Sequence, residues 1–181
     1  TLASGLSSAG GSLSKTGAGT LSLTGNNSFD GGTTVRAGTL SVGAGGASGS
    51  LAGAVVNDAA LVVNRSGAIT LAGAISGAGS LDKQGTGTLT LSGNNGGYSG
   101  NITLAAGSLA LGSANAIGST GNLSFTGGAL QFSAANTTDY SARFSNDPGQ
   151  AYSVDTNGQN LALASTLSSV GGTLSKTGAS P

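Results

Sequence analysis

The chain has no cysteine and no histidine in its 181 residues. Without them there is no Ser-His-Asp or Cys-His nucleophile, none of the usual zinc sites, and no disulfide to hold a small extracellular domain together. Charge is almost as scarce. Six Lys and Arg face six acidic residues, every one an Asp, and the net charge is zero. A nucleic-acid partner wants clustered Lys and Arg, and an anionic membrane wants a basic patch, so both are excluded as partners. No run of 18 apolar residues exists to cross a bilayer as a helix. No signal peptide heads the chain, so targeting elements are expected outside this stretch. Each Lys of the repeated stretch described below follows Ser or Asp rather than Gly, so no phosphate-binding loop is present.

Glycine is what the chain has in excess, 35 residues in all, against roughly 7% in ordinary proteins. No window of a dozen residues keeps a helical apolar period free of it. Apolar residues instead alternate with small polar ones: Leu21 and Leu23, then Leu40 and Val42, then Leu89 and Leu91. Period 2 is the mark of a half-buried strand. The first stretch predicts strands near 20–24, 33–36 and 39–42. Further on, Val55, Val56, Leu61, Val62, Val63, Ile69 and Leu71 make a second strand-rich stretch, with turns at Asn57-Asp58 and Arg65-Ser66-Gly67. Leu123, Phe125, Leu130 and Phe132 alternate with polar neighbours and are expected to point inward. Residues 43–50, GAGGASGS, read as a flexible corner.

The chain also repeats itself. LSKTGAGTLSLTGNN from Leu13 aligns with LDKQGTGTLTLSGNN from Leu81, an offset of 68 (81 minus 13). LASGLSSAGGSLSKTGA from Leu2 aligns with LASTLSSVGGTLSKTGA from Leu163, an offset of 161 (163 minus 2). Residues 1–181 are thus one β-helix segment, about one 161-residue unit plus the start of the next. Sub-repeats run over 13–43 and 81–112, with a partial copy at 174–181. Repetition on this scale signals a solenoid, and the glycine content selects an all-β one with parallel strands.

Leu13, Lys15, Gly17, Gly19-Thr20-Leu21, Leu23, Gly25, Asn27, Phe29, Gly31, Thr33, Val35 and Gly38-Thr39-Leu40 resemble the passenger-associated β-strand repeat of bacterial autotransporters. The second copy keeps the pattern from Leu81 to Gly107, with one extra residue before Tyr98 and Ile102 in place of Thr. The resemblance implies a right-handed parallel β-helix, secreted through an outer-membrane barrel outside this segment and displayed at the bacterial cell surface, tethered to the outer membrane. A chain without cysteine suits passage through such a pore unfolded. Coils of roughly 20 residues at about 4.8 Å spacing predict eight or nine coils in a rod near 40 Å long.

Few residues invite a functional reading. Residues 134–160 hold Tyr140, Phe144 and Tyr152 together with Asp139, Asp147, Asp155 and Arg143. They are expected to form a longer coil or loop packed on the solenoid wall. Tyr140, Asp147 and Tyr152 are the candidate glycan contacts, a ring for the sugar face and a carboxylate for its hydroxyls. The charged residues of the same segment show no spacing that fixes an acid and a base, so no catalytic residue is assigned. The six Asp recur at no fixed period, and no metal or other cofactor is expected. Lys15, Lys83 and Lys176 share one repeat position and read as a solvated edge. Asn27 and Asn95 read as tight-turn residues in the left-handed conformation. A structural spacer whose partners are neighbouring units of its own chain, with end-to-end self-association at uncovered coils, is the reading these residues favour. An adhesin that binds surface glycans is the alternative.

Overall fold

The computed structural model describes residues 1–179. Sixteen strands, numbered in chain order, form three parallel sheets that wrap one column of side chains through about eight turns. The first sheet stacks β1 (Leu13–Lys15), β3 (Thr33–Val35), β5 (Val55–Asn57) and β8 (Ile75–Ser76). The second stacks β2 (Thr20–Leu23), β4 (Thr39–Val42), β6 (Ala60–Asn64), β9 (Ser80–Gln84), β11 (Ile102–Leu104) and β13 (Leu123–Phe125). The third stacks β7 (Ile69–Leu71), β10 (Thr88–Leu91), β12 (Ser108–Leu111), β14 (Ala129–Gln131), β15 (Ala151–Asp155) and β16 (Thr173–Thr177). A single 3-10 turn, Ser141–Arg143, is the one helical element among the described residues.

Alternation builds the column. In β10, Leu89 and Leu91 point inward and Thr88 and Thr90 outward, and the pattern repeats in β12 directly beside it. Leu23, Leu40, Leu89, Leu91 and Leu109 are fully buried, as are Leu123, Phe125, Leu130 and Phe132. Leu21 is only half-buried, because the first coil meets this sheet at a single bridge, Leu2 to Leu23.

Coil length sets where each repeat lands. Three coils carry Leu13 through Thr33 and Val55 to Ile75 on the first sheet. Leu81 lies just round the next corner, on the second sheet. The 68-residue offset is therefore three coils and one face, so β1 and its counterpart β9 sit on different sheets. The third counterpart, in β16, sits on the remaining sheet. That partial copy, 174–181, runs into residues 180–181, which lie outside the described residues.

Two expectations about corners need correction. Asn27 and Asn95 are not in the left-handed conformation; among the described residues the one non-glycine residue with positive φ is Asn157. Both are buried instead. Asn27 Oδ1 accepts from Leu6 N at 2.9 Å, and its Nδ2 donates to Gly25 O and Ser50 O. Asn95 Oδ1 accepts from Ile75 N at 2.6 Å, while Nδ2 donates to Ala116 O. Each asparagine thus ties the coil before it to the coil after it. The corner at 43–50 is likewise held, since Arg65 Nη1 donates to Gly49 O, its Nη2 to Ala47 O, and Gly45 N to Asn64 O.

Candidate functional site: cationic corners and the long coil

Lys15 and Lys83 do not form a solvated edge. Lys83 pairs in register with Val63 on one side and Leu104 on the other, both inward residues, and it is 1% exposed. Its stem joins the core column and its ammonium reaches the corner, where it donates to Gln84 O (2.9 Å), Gly85 O (2.8 Å) and Ala106 O (2.9 Å). An ammonium has three donors and no acceptor, so all three are used. Gly85, at φ +70, turns the corner so that successive carbonyls face inward. Lys15 repeats the arrangement with Thr16 O, Gly17 O and Ala37 O. Burial pulls the Lys83 ammonium down to about 8. Lys176 donates to Gly178 O at the last coil. The three lysines lie on three different sheets and make no row.

Arginine is used in the same way. Arg143 Nε donates to Gly121 O at 2.8 Å, Nη1 to Gly118 O at 3.0 Å, and Nη2 to Ile117 O and Thr120 O. Its guanidinium lies 5.5 Å from the centroid of the Tyr140 ring. Burial lowers its pKa. Of the six cations only Arg36 is both exposed and without a carbonyl partner among the described residues.

The long coil is built around aromatic rings inside the column. Phe125 meets Phe144 edge-on at 4.8 Å and Tyr152 at 5.6 Å, and Phe144 stacks on Tyr152 at 5.8 Å. Tyr152 is 3% exposed, and its hydroxyl donates to Ser145 O. Tyr140 is 6% exposed and bonds Asn136 through its hydroxyl. Both rings are core, packed within the coil rather than laid over an outer wall, and Tyr140 also lines the groove described below. Asp147 is exposed and accepts from Ser145 Oγ.

The other two carboxylates of this coil, Asp139 and Asp155, hold turns. Asp139 accepts from Ser141 N and Ala164 N; burial works against the charge, but these bonds prevail and its pKa is lowered. Asp155 accepts from Gln131 Nε2 and Asn157 N. No group of His, Cys, Asp or Glu among the described residues stands close enough to hold a metal. A groove of about 340 Å³ runs between Ala114–Ser119 and Thr138–Arg143. Its walls include Asn115, Thr138 and Asp139.

The family model described as passenger-associated-transport-repeat matches residues 13–42 and 81–111, together about a third of the chain. The chain carries two of these repeats. Each matched segment begins two residues before an inward Lys, Lys15 or Lys83, and runs through the two coils that this Lys joins. No curated protein and no solved structure matches the chain. The inward Lys was readable in principle. Lys-x-Gly recurs at all three copies, and alternation from Leu13 and Leu81 assigns Lys15 and Lys83 to the inner face.

Proposed function

We propose that the chain is a stalk segment of a secreted passenger, displayed at the bacterial surface and tethered through an outer-membrane barrel encoded elsewhere in the protein. Its contribution is length and stiffness. The observation that carries this reading is where the charged groups are spent: five of the six cations donate to backbone carbonyls. The proposal carries no catalysis. Repeated units suit such a role, because each added coil buries the open face of the last.

The test is replacement. Exchanging residues 13–112 for an unrelated parallel solenoid of equal coil number should leave display and activity of the rest of the passenger unchanged. Deleting the same residues should impair reach to a distant surface while leaving secretion intact. Loss of a binding activity on exchange, with display preserved, would overturn the stalk reading.

A second reading, an adhesin segment, draws on the groove beside the long coil, where Asn115, Thr138 and Asp139 supply donors and acceptors at one opening. A glycan held there would be lost on Asn115→Ala with Thr138→Ala. Neither change touches the aromatic core.

A further inference from the structure

Arg36 is the cation the fold leaves over. The other five donate to backbone carbonyls, whereas Arg36 is exposed and has no carbonyl partner among the described residues. Its place in the repeat does not call for a charge. Arg36 N donates to Lys15 O, and in the second copy Ala105 N donates to Lys83 O, both at 2.9 Å. Alanine therefore completes the same corner, and the guanidinium of Arg36 is left for something outside the chain.

Arg36 borders a groove of about 320 Å³ on the outer face of the first sheet. The groove lies over β3, which has β1 on one side and β5 on the other. Outward residues of the three strands stand abreast, Ser14 beside Thr34 and Thr34 beside Val56. At about 4.8 Å between strands they make a strip roughly 10 Å wide, with two hydroxyls at one side and an apolar side chain at the other. Val56 is 40% exposed. Gly32 and Ala54 keep the far end of the groove low. Asp30 and Asp58, the acidic residues on either side of Arg36 in the sequence, do not line it. Asp30 Oδ1 accepts from Gly10 N, and Asp58 Oδ1 lies against Gly77, one coil further along.

We propose that this groove holds an acidic sugar, a uronate unit of a polysaccharide. The planar guanidinium fork takes the carboxylate through two parallel bonds, Ser14 and Thr34 meet ring hydroxyls, and the apolar face of the ring rests on Val56. A simple carboxylate would use only the arginine, and a neutral sugar would leave it idle; a uronate engages all of these groups. The site is separate from the groove beside the long coil. It adds a weak lateral contact along the rod, on which reach to a distant surface does not draw. Its failure would therefore leave the stalk reading standing.

The test is a titration of the chain at neutral pH, followed by amide NMR shifts, with glucuronate, glucose, acetate and glucose 6-sulfate at one ionic strength. Glucuronate should saturate in roughly the millimolar range and move the amides of Thr34 and Val56. Glucose and acetate should each bind at least tenfold more weakly. Arg36→Ala, the residue that the second copy carries at this corner, should weaken glucuronate at least tenfold with the circular dichroism unchanged. Arg36→Lys keeps the charge without the fork and should recover only part of that loss. Ala54→Phe fills the groove, leaves Arg36 in place and should abolish binding. Acetate bound as tightly as glucuronate would reduce the site to a free arginine and overturn the proposal. So would tighter binding of glucose 6-sulfate than of glucuronate, or binding within threefold of the parent in Arg36→Ala or in Ala54→Phe.

Discussion

The ammonium of Lys83 lies 2.9 Å from the carbonyl oxygen of Ala106, one coil further along the rod. Lys15 makes the same contact with Ala37 O, also at 2.9 Å. A buried cation would normally demand a carboxylate. Here three carbonyl dipoles take that part, and the side chain fastens one coil to the next. Lys83→Met keeps the apolar stem and leaves those carbonyls without their donor. We expect a loss of roughly 1–3 kcal/mol, read as a lower urea midpoint with secondary structure unchanged.

The same lysine makes stability depend on pH in an unusual direction. Its folded pKa lies near 8, below the ordinary 10.5, because burial disfavours the charge. Between those values the unfolded chain binds more protons than the folded one, so stability rises with pH. Tyr98 acts oppositely above pH 10. Burial first, and then the Asp82 carboxylate, raise its pKa, so there the unfolded chain gives up its proton before the folded one. The urea midpoint should therefore climb from pH 7.5 to 9.5 in the parent and stay level in Lys83→Met. A parent midpoint that is flat or falls across that window would contradict the assignment.

Asn95 and Asn26 make a matched pair. Asn95 is buried, with its amide bonded to Ile75 N and Ala116 O; Asn26 is exposed, and no side-chain bond to it is seen among the described residues. Asn95→Ala should cost about 1–3 kcal/mol through the unpaired backbone groups it leaves. Asn26→Ala should change stability by less than about 0.5 kcal/mol. Equal effects in thermal melts would show that the buried amide does not bridge coils.

The aromatic cluster fastens the long coil to β13 through Phe125. Phe125→Ala removes a ring that meets both Phe144 and Tyr152 and should cost roughly 3–5 kcal/mol. Tyr152→Phe removes only the bond to Ser145 O, about 1 kcal/mol. Amide exchange should show protection falling first around residues 144–153 in the alanine variant.

Much of this architecture is visible in single residues of the sequence. Leu89 and Leu91 alternate with threonine, and alternation is a local property that tertiary context leaves alone. The strands at 33–36 and 39–42 fell where Gly and apolar spacing put them, to within a residue. Lys15 departs from the expected solvated edge because its parity with Leu13 outweighs its charge. A lysine two residues from an inward leucine is inward when enough carbonyls wait for it, and the glycine two residues further on is what presents them. The asparagines depart from the expected turn role for a related reason. Asn27 and Asn95 are residue types that tolerate positive φ, but glycine took those positions and left asparagine to bond across coils. Tyr140 and Tyr152 gave no local sign of burial, since an aromatic ring between polar residues reads alike inside and outside a wall.

The step of one face for each 68 residues, and of two for each 161, gives the rod a screw. In a tandem array of such units, the groove beside the long coil would reappear two-thirds of a revolution round with every unit and regain its first azimuth after three. A filament built that way has no front or back. Whatever one unit presents sideways, the array presents in every direction, and a neighbouring surface would meet it without having to be turned.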